Sequence, residues 1–397
     1  MKKIEQSVCT RRVALLGIAG AVAELTGCGG GGADIAGLSS GGTGSFTSGT
    51  ITGLGSIIVN GIRYNDDTAR IAASDDTGGN HSELQLGMVV TIEGSTVTPA
   101  ATATGLPTAT AYSITYGSEW RGPVSNLAAS TFEILGHTVD VLSTTLIDGV
   151  VNQYGLIQAG QYVEVYGYVD QIDGHIQASR IEVSNTQPGS YKLSGAITQI
   201  DRVRRTANLG RTPINWSPDS VLPSNTAEND FVRVQLNPTL SMGVWTATRI
   251  QLQGSPLVDL PDNQDYEAEV QGSITAYQSN ASFVVSGIPV NAANARITGT
   301  LQVGVVVEVE GKIRAGQLIA SKVEVKSSAR IESQEFEFYG VISNVTAQTF
   351  EVRGQTFDYD SQTENNYLLQ RTPSPYVEVK ANRRNGRWYA FEIDLED

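Results

Sequence analysis

Three histidines, His81, His137 and His175, are among the scarcest groups able to bind a metal or move a proton in this chain of 397 residues. His137 and His175 stand close in sequence to Glu164 and Asp173. A metal site needs several ligands that converge. Here one histidine follows the Asp173-Gly174 turn and the other lies in a strand pattern, so surface or strand positions account for both, and no metal or other cofactor is expected. Asp358-Tyr-Asp360 with Glu364 has the composition of an oxygen-donor loop, but lacks the glycine and terminal acid of a calcium-binding helix–loop–helix. The acidic run Asp259 to Asp265 reads as a solvated linker. No serine elbow between a strand and a helix and no Cys–His pair is found, and no two carboxylates are marked as an acid–base couple. The chain is therefore expected not to be an enzyme. The best candidate for recognition is Tyr162, Tyr166 and Tyr168, which by parity with Val163, Val165 and Val169 face outward beside Glu164. Such a stripe can stack on sugar rings or grip a protein; packing against a neighbouring unit is the plainer alternative.

The stripe belongs to a strand, and the strand to a pattern. In Val305–Ile313, valines and an isoleucine alternate with Val306, Glu308, Glu310 and Lys312, the period-two mark of a strand with one buried and one solvated face. Arg314-Ala-Gly316 supplies a turn, and Leu318–Val325 returns. Four further segments carry the same figure, at Met88–Gly94, Tyr162–Tyr168, Phe231–Asn237 and Tyr376–Lys380, each followed by a partner strand. Each of the five units opens on a glycine-bearing strand, at Gly49, Gly122, Gly195, Gly272 and Gly340. A second hairpin follows, as in Thr131-Phe-Glu-Ile-Leu-Gly-His-Thr-Val139. Units of this size bury a limited core and lean on their neighbours.

Formal net charge is −14, and the first 27 residues contribute positive charge, so the remainder is more acidic still. That excess disfavours nucleic acid, whose binding depends on cations that displace counterions. Arginines cluster at Arg202, Arg204, Arg205 and Arg211, and again at Arg383, Arg384 and Arg387 beside Lys380; pairing with an acidic neighbouring unit is expected of both. The only cysteines are Cys9 and Cys28, so no disulfide can staple the units.

Lys2, Lys3, Arg11 and Arg12 precede a short apolar run, Val13 to Val22, and then Leu25-Thr-Gly-Cys28. This leader resembles a bacterial lipoprotein signal. The resemblance implies cleavage before Cys28, acylation of its thiol, and membrane attachment worth about 0.8 kcal/mol per buried methylene. Gly29 after the cysteine implies the outer membrane. Residues 28–48 read as the lipidated cysteine and a flexible tether.

The order Gly-x-Ile, Phe-x-Val-x-Gly-x-x-Val, Val-x-Val-x-Gly, Ala-x-x-Ile-Glu-Val, repeated, resembles the bacterial family called domain of unknown function 5666. The likeness runs over about residues 47–397 and is best in units two and four; unit three departs, with Leu236 in place of the central glycine. The family brings no established activity, and its members often occur as tandem repeats in envelope lipoproteins. The expected architecture is all-β: a leader (1–27), the tether, and repeats at 49–117, 118–187, 188–258, 259–330 and 331–397. Each is a small barrel or roll of the oligonucleotide/oligosaccharide-binding (OB) kind, with a sandwich as the alternative. The expected role is a structural or protein-interaction module of the cell envelope, held to the membrane through Cys28, with an envelope protein or a glycan as the partner.

Overall fold

The computed structural model describes residues 44–74, 79, 83–101, 105–148, 157–170, 174–217, 222–254, 256–257, 260, 265–326, 335–384 and 387–396. Cys9, Cys28, His81, Asp173 and most of the 259–265 run lie outside them. Among the described residues there is no α-helix, only strands and a short 3-10 turn at Asn366–Gln370.

The first unit sets the scheme. Strand β1 (Gly44–Leu54) pairs antiparallel with β2 (Ile57–Val59), and β2 with β3 (Ile62–Asn65). After β4 (Arg70–Ala73) come the central strand β5 (Val89–Gly94) and the closing strand β6 (Thr108–Tyr116). Strand β3 runs parallel to β6, β6 antiparallel to β5, and β5 antiparallel to β1. The ladder thus closes on itself in the order opening, hairpin, closing, central, opening. This is the five-stranded order of an OB barrel, and one closed ladder excludes the sandwich.

The other four units repeat it. In the second, Trp120–Ser125 opens, Tyr162–Asp170 is central and His175–Ser184 closes. The third uses Tyr191–Asp201, Phe231–Leu236 and Trp245–Leu252. The fourth uses Tyr266–Ser279, Val306–Arg314 and Gln317–Val325. The fifth uses Phe336–Ser343, Tyr376–Arg384 and Arg387–Leu395.

Local chemistry explains the repetition. Residue pairs such as Asn60-Gly61, Leu135-Gly136, Ser286-Gly287 and Arg353-Gly354 both have positive φ, the turn that matches the twist of a two-residue hairpin. In every barrel the closing strand carries a bulge at the same place, with Tyr112, Ser179, Thr248, Ser321 and Phe391 as the extra residue, opposite Glu93/Gly94, Tyr166/Gly167, Gln235/Leu236, Glu310/Gly311 and Lys380/Ala381 of the central strand. The extra residue bends the strand and lets so small a barrel close.

The barrels do not pack only on their neighbours in sequence. The first half of β1, Gly44–Ser48, pairs parallel with Tyr266–Val270 of barrel 4, and its last residues, Gly53 and Leu54, pair with Glu337 and Phe338 of barrel 5. Residues 44–48, read from sequence as the end of a tether, are therefore strand. Their low hydrophobicity hid this, although Phe46 is fully buried in the apolar cluster of barrel 4. Barrel 2 is tied to barrel 3 by the Trp120 indole, which donates to the Ser194 carbonyl at 2.9 Å, and by Arg121, which donates to that of Ser190 at 3.0 Å.

Candidate functional site

The tyrosine stripe lies on the central strand of barrel 2, but it does not face solvent. Tyr166 and Tyr168 are 5% and 8% exposed. The Tyr168 hydroxyl shares a 2.9 Å hydrogen bond with that of Thr50, in the middle of β1. Tyr166 joins the apolar cluster of barrels 1 and 5. Burial raises both phenol pKa values above the ordinary tyrosine range. Tyr162 is half-buried and stacks on Tyr191 of barrel 3 at 6.3 Å. The exposed recognition face expected at Tyr162, Tyr166 and Tyr168 is thus an inter-barrel seam. Period-two alternation separated the two faces of the strand, but the second face meets another barrel rather than water.

The same holds in barrel 4. Val307, Val309 and Ile313 line its core as expected, yet Val306 and Glu310 on the opposite face are also buried. Glu269 of the opening strand stands directly across from Glu310, and Gln271 across from Glu308. Glu269, Glu308 and Glu310 each bring one carboxylate oxygen to within 4.8 Å of the others. Lys322 Nζ binds Glu310 Oε1 at 2.6 Å, and Lys326 Nζ binds Glu308 Oε2 at 2.7 Å. Glu269 Oε2 is buried without a hydrogen-bond partner. Burial, and then the charges of Glu308 and Glu310, push the Glu269 pKa well above the usual carboxylate range. Its strand position pairs with Thr47 of β1, and the Asn60 side chain donates to the Glu269 carbonyl. Glu308 also acts on the Tyr168 phenol, raising its pKa. Three barrels therefore meet at these carboxylates. Sequence reading placed Glu308 and Glu310 on a solvated face and did not single them out; the paired Glu-x-Glu spacings at 267/269 and 308/310 were the available signal.

Next to this junction, barrels 1 to 4 line a half-open cavity of about 610 Å³. Thr91, Ser113 and Thr115 from barrel 1, Gln251 from barrel 3, and Gln271 and Thr275 from barrel 4 give its wall a hydroxyl and amide character. Arg233 crosses it to Glu119 of barrel 2 at 3.0 Å and donates to the Ser74 hydroxyl of barrel 1 at 2.6 Å. A second recess of about 680 Å³, beside Tyr166, holds charged groups that pair with one another, Arg180 with Glu182 at 2.8 Å and Arg121 with Glu164 at 3.7 Å.

The histidines are kept apart. His137 is buried between barrels 2 and 3, where its Nε2 lies 2.9 Å from the Thr212 hydroxyl, and burial lowers its pKa. His175 faces Asp140 at 3.2 Å. Glu164, proposed in sequence as their neighbour, lies near Arg121 and Lys192 instead. The Asp358–Glu364 segment does not converge either: Asp358 holds Arg387, and Asp360 accepts from the Tyr389 hydroxyl at 2.8 Å. Asp265 is taken by Arg314 of its own barrel. The arginine clusters make most of their described contacts within their own barrels, while Arg383 of barrel 5 also feels the charge of Asp148 in barrel 2, as expected of a neighbouring unit. Arg204 meets Asp201 at 2.9 Å, Lys380 meets Glu392 at 3.1 Å, and Arg383 and Arg384 lie over the rings of Trp388 and Tyr389.

Compared with protein families, residues 121–182, 271–324 and 339–394 match the family described as a domain of unknown function (DUF5666). The chain thus carries a repeated DUF5666-like domain, in barrels 2, 4 and 5. Barrels 1 and 3 share the strand order of the other three without being matched. No curated protein matches the chain.

Proposed function

We propose that the chain is a non-catalytic lipoprotein of the cell envelope, anchored in the outer membrane through Cys28, whose barrels form a structural or protein-interaction body. The observation that carries the reading is β1, whose two ends extend the sheets of barrels 4 and 5 while its middle belongs to barrel 1. A chain whose barrels share a strand suits a rigid support better than five independently moving binding modules. The lipoprotein part rests on the leader and Leu25-Thr-Gly-Cys28. Labelling cells with a radioactive fatty acid and separating their membranes tests it: wild type carries label in the outer-membrane fraction and Cys28→Ala carries none. Label retained in Cys28→Ala, or none in wild type, sinks the anchoring.

A second reading is supported by the cavity. A wall of hydroxyl and amide groups suits a neutral polar ligand such as a short glycan. Screening the protein on a glycan array tests it, with Gln271→Ala and Thr91→Ala alongside. Capture lost in both variants supports this reading, and capture that ignores them places the glycan elsewhere.

A further inference from the structure

We propose that Glu269, Glu308 and Glu310 form a binding site for a hard divalent cation such as calcium, where barrel 4 meets barrels 1 and 2. Among the described residues, Glu269, Glu308 and Glu310 share one face of barrel 4, where Lys322 pairs with Glu310 and Lys326 with Glu308. The Glu269 carboxylate is left over in a place largely closed to water. Uncompensated buried charge is costly, so buried carboxylates are paired, protonated or bound to a metal. A bound cation meets that need.

Geometry agrees with the charge. Each lysine holds one oxygen of its glutamate, leaving the second oxygen of Glu308 and of Glu310. Glu269 is 3% exposed, and its Oε2 has no hydrogen-bond partner. Three carboxylate oxygens, one from each residue, lie within 4.8 Å of one another. All donors are oxygen, which selects a hard cation over zinc or copper.

The other barrels show that the fold does not require this triad. At the place of Glu310, just before the bulge, barrel 5 has Lys380, barrel 3 has Gln235 and barrel 2 has Tyr166. Opposite that place, barrel 3 has Lys192 and barrel 1 has Phe46. Barrel 4 alone assembles three carboxylates at these positions.

Terbium is a calcium probe whose emission is sensitised by nearby tyrosine, and Tyr168 and Tyr64 both adjoin the cluster electrostatically. The full chain, purified in non-ionic detergent, is titrated with terbium under excitation of tyrosine. The expected result is emission that calcium displaces and that Glu269→Gln and Glu308→Gln each abolish, together with a melting temperature raised by calcium and lowered by EDTA in wild type only. Glu269→Gln is the safer variant, because its carboxylate is in no ion pair and an amide mimics its protonated form. Emission that survives in Glu269→Gln overturns the site. So does a wild-type chain that gives no emission and melts alike in calcium and EDTA; a proton on Glu269 then accounts for the charge.

Discussion

The Tyr168 hydroxyl of barrel 2 and the Thr50 hydroxyl of β1 face each other at 2.9 Å, across a gap of 118 residues in the chain. Tyr168→Phe keeps the ring and removes the bond. It is expected to cost about 1 kcal/mol in denaturant unfolding, and Tyr168→Ala about 3–5 kcal/mol. A double-mutant cycle with Thr50→Val checks the pair: additive losses would show that the two hydroxyls do not interact.

Glycine on the central strand opposite the bulge is required by the close approach of the closing strand. A Cβ on Gly167 would meet the Gln177 carbonyl oxygen at 2.1 Å, and one on Gly311 that of Ile319 at 2.2 Å. Yet Leu236 and Ala381 occupy the same place, opposite the bulge, in barrels 3 and 5. Gly167→Ala and Gly311→Ala are therefore each expected to destabilise by roughly 2 kcal/mol or more, whereas Ala381→Gly costs less than half as much. Equal effects at all three positions, measured by urea unfolding, would contradict this.

Glu378 gives the barrel 5 region a pH dependence of definite sign. Burial, reinforced by the charge of Glu337 and opposed by Lys380, raises its pKa from 4.5 to about 7. The folded state then holds the proton more tightly than the unfolded chain. This contribution to stability is complete below pH 4.5 and is lost as pH rises through about 7. Glu378→Gln is expected to flatten the dependence of melting temperature on pH between these values. A variant that retains the wild-type slope would rule Glu378 out as its source.

His137 acts in the opposite direction in stability. Burial lowers its pKa below 6.5, so folding favours the neutral ring and stability falls as pH drops below that value. His137→Gln, which retains a donor toward Thr212, is expected to lessen the loss at low pH. Following the imidazole by NMR titration provides the check: a ring that titrates at or above 6.5 would be inconsistent with its burial.

Thr47 lies between two strands, opposite Ile92 of its own barrel and Glu269 of barrel 4. Thr47→Pro removes a ladder donor at this point. Amides of Glu267–Val270 should exchange faster with deuterium, while those of the closing strand Arg387–Leu395 remain protected. Faster exchange throughout all five barrels would instead mean global unfolding.

Local elements were legible in the sequence because their causes are local. The hairpin from Val306 to Val325 follows from alternation and from Ala315-Gly316, both at positive φ, and its recurrence disclosed five units of one plan. Non-local relations were not legible. Glu310 and Tyr166 look like solvated positions when only their own strand is considered, and each is covered by a barrel distant in sequence. Ser45, Thr47 and Ser48 look like linker because no apolar pattern marks a strand whose two edges are both paired. The carboxylate junction was missed for the same reason, since Glu269 and Glu308 meet only after the central strand folds back on the opening one.

The double pairing of β1 also sets an order of events in time. A ribosome makes Gly44–Ser48 long before Tyr266–Val270, the segment that completes its second edge. Wherever barrel 1 folds, during synthesis or after export, that edge stays open until the later segment follows. During this interval barrel 1 presents an unpaired row of amides and carbonyls, a template for any extended chain nearby. Serine, threonine and glycine along Gly44–Ser48 make that template a poor one, so the residues that hide the strand in the sequence also protect the nascent chain until its partner arrives.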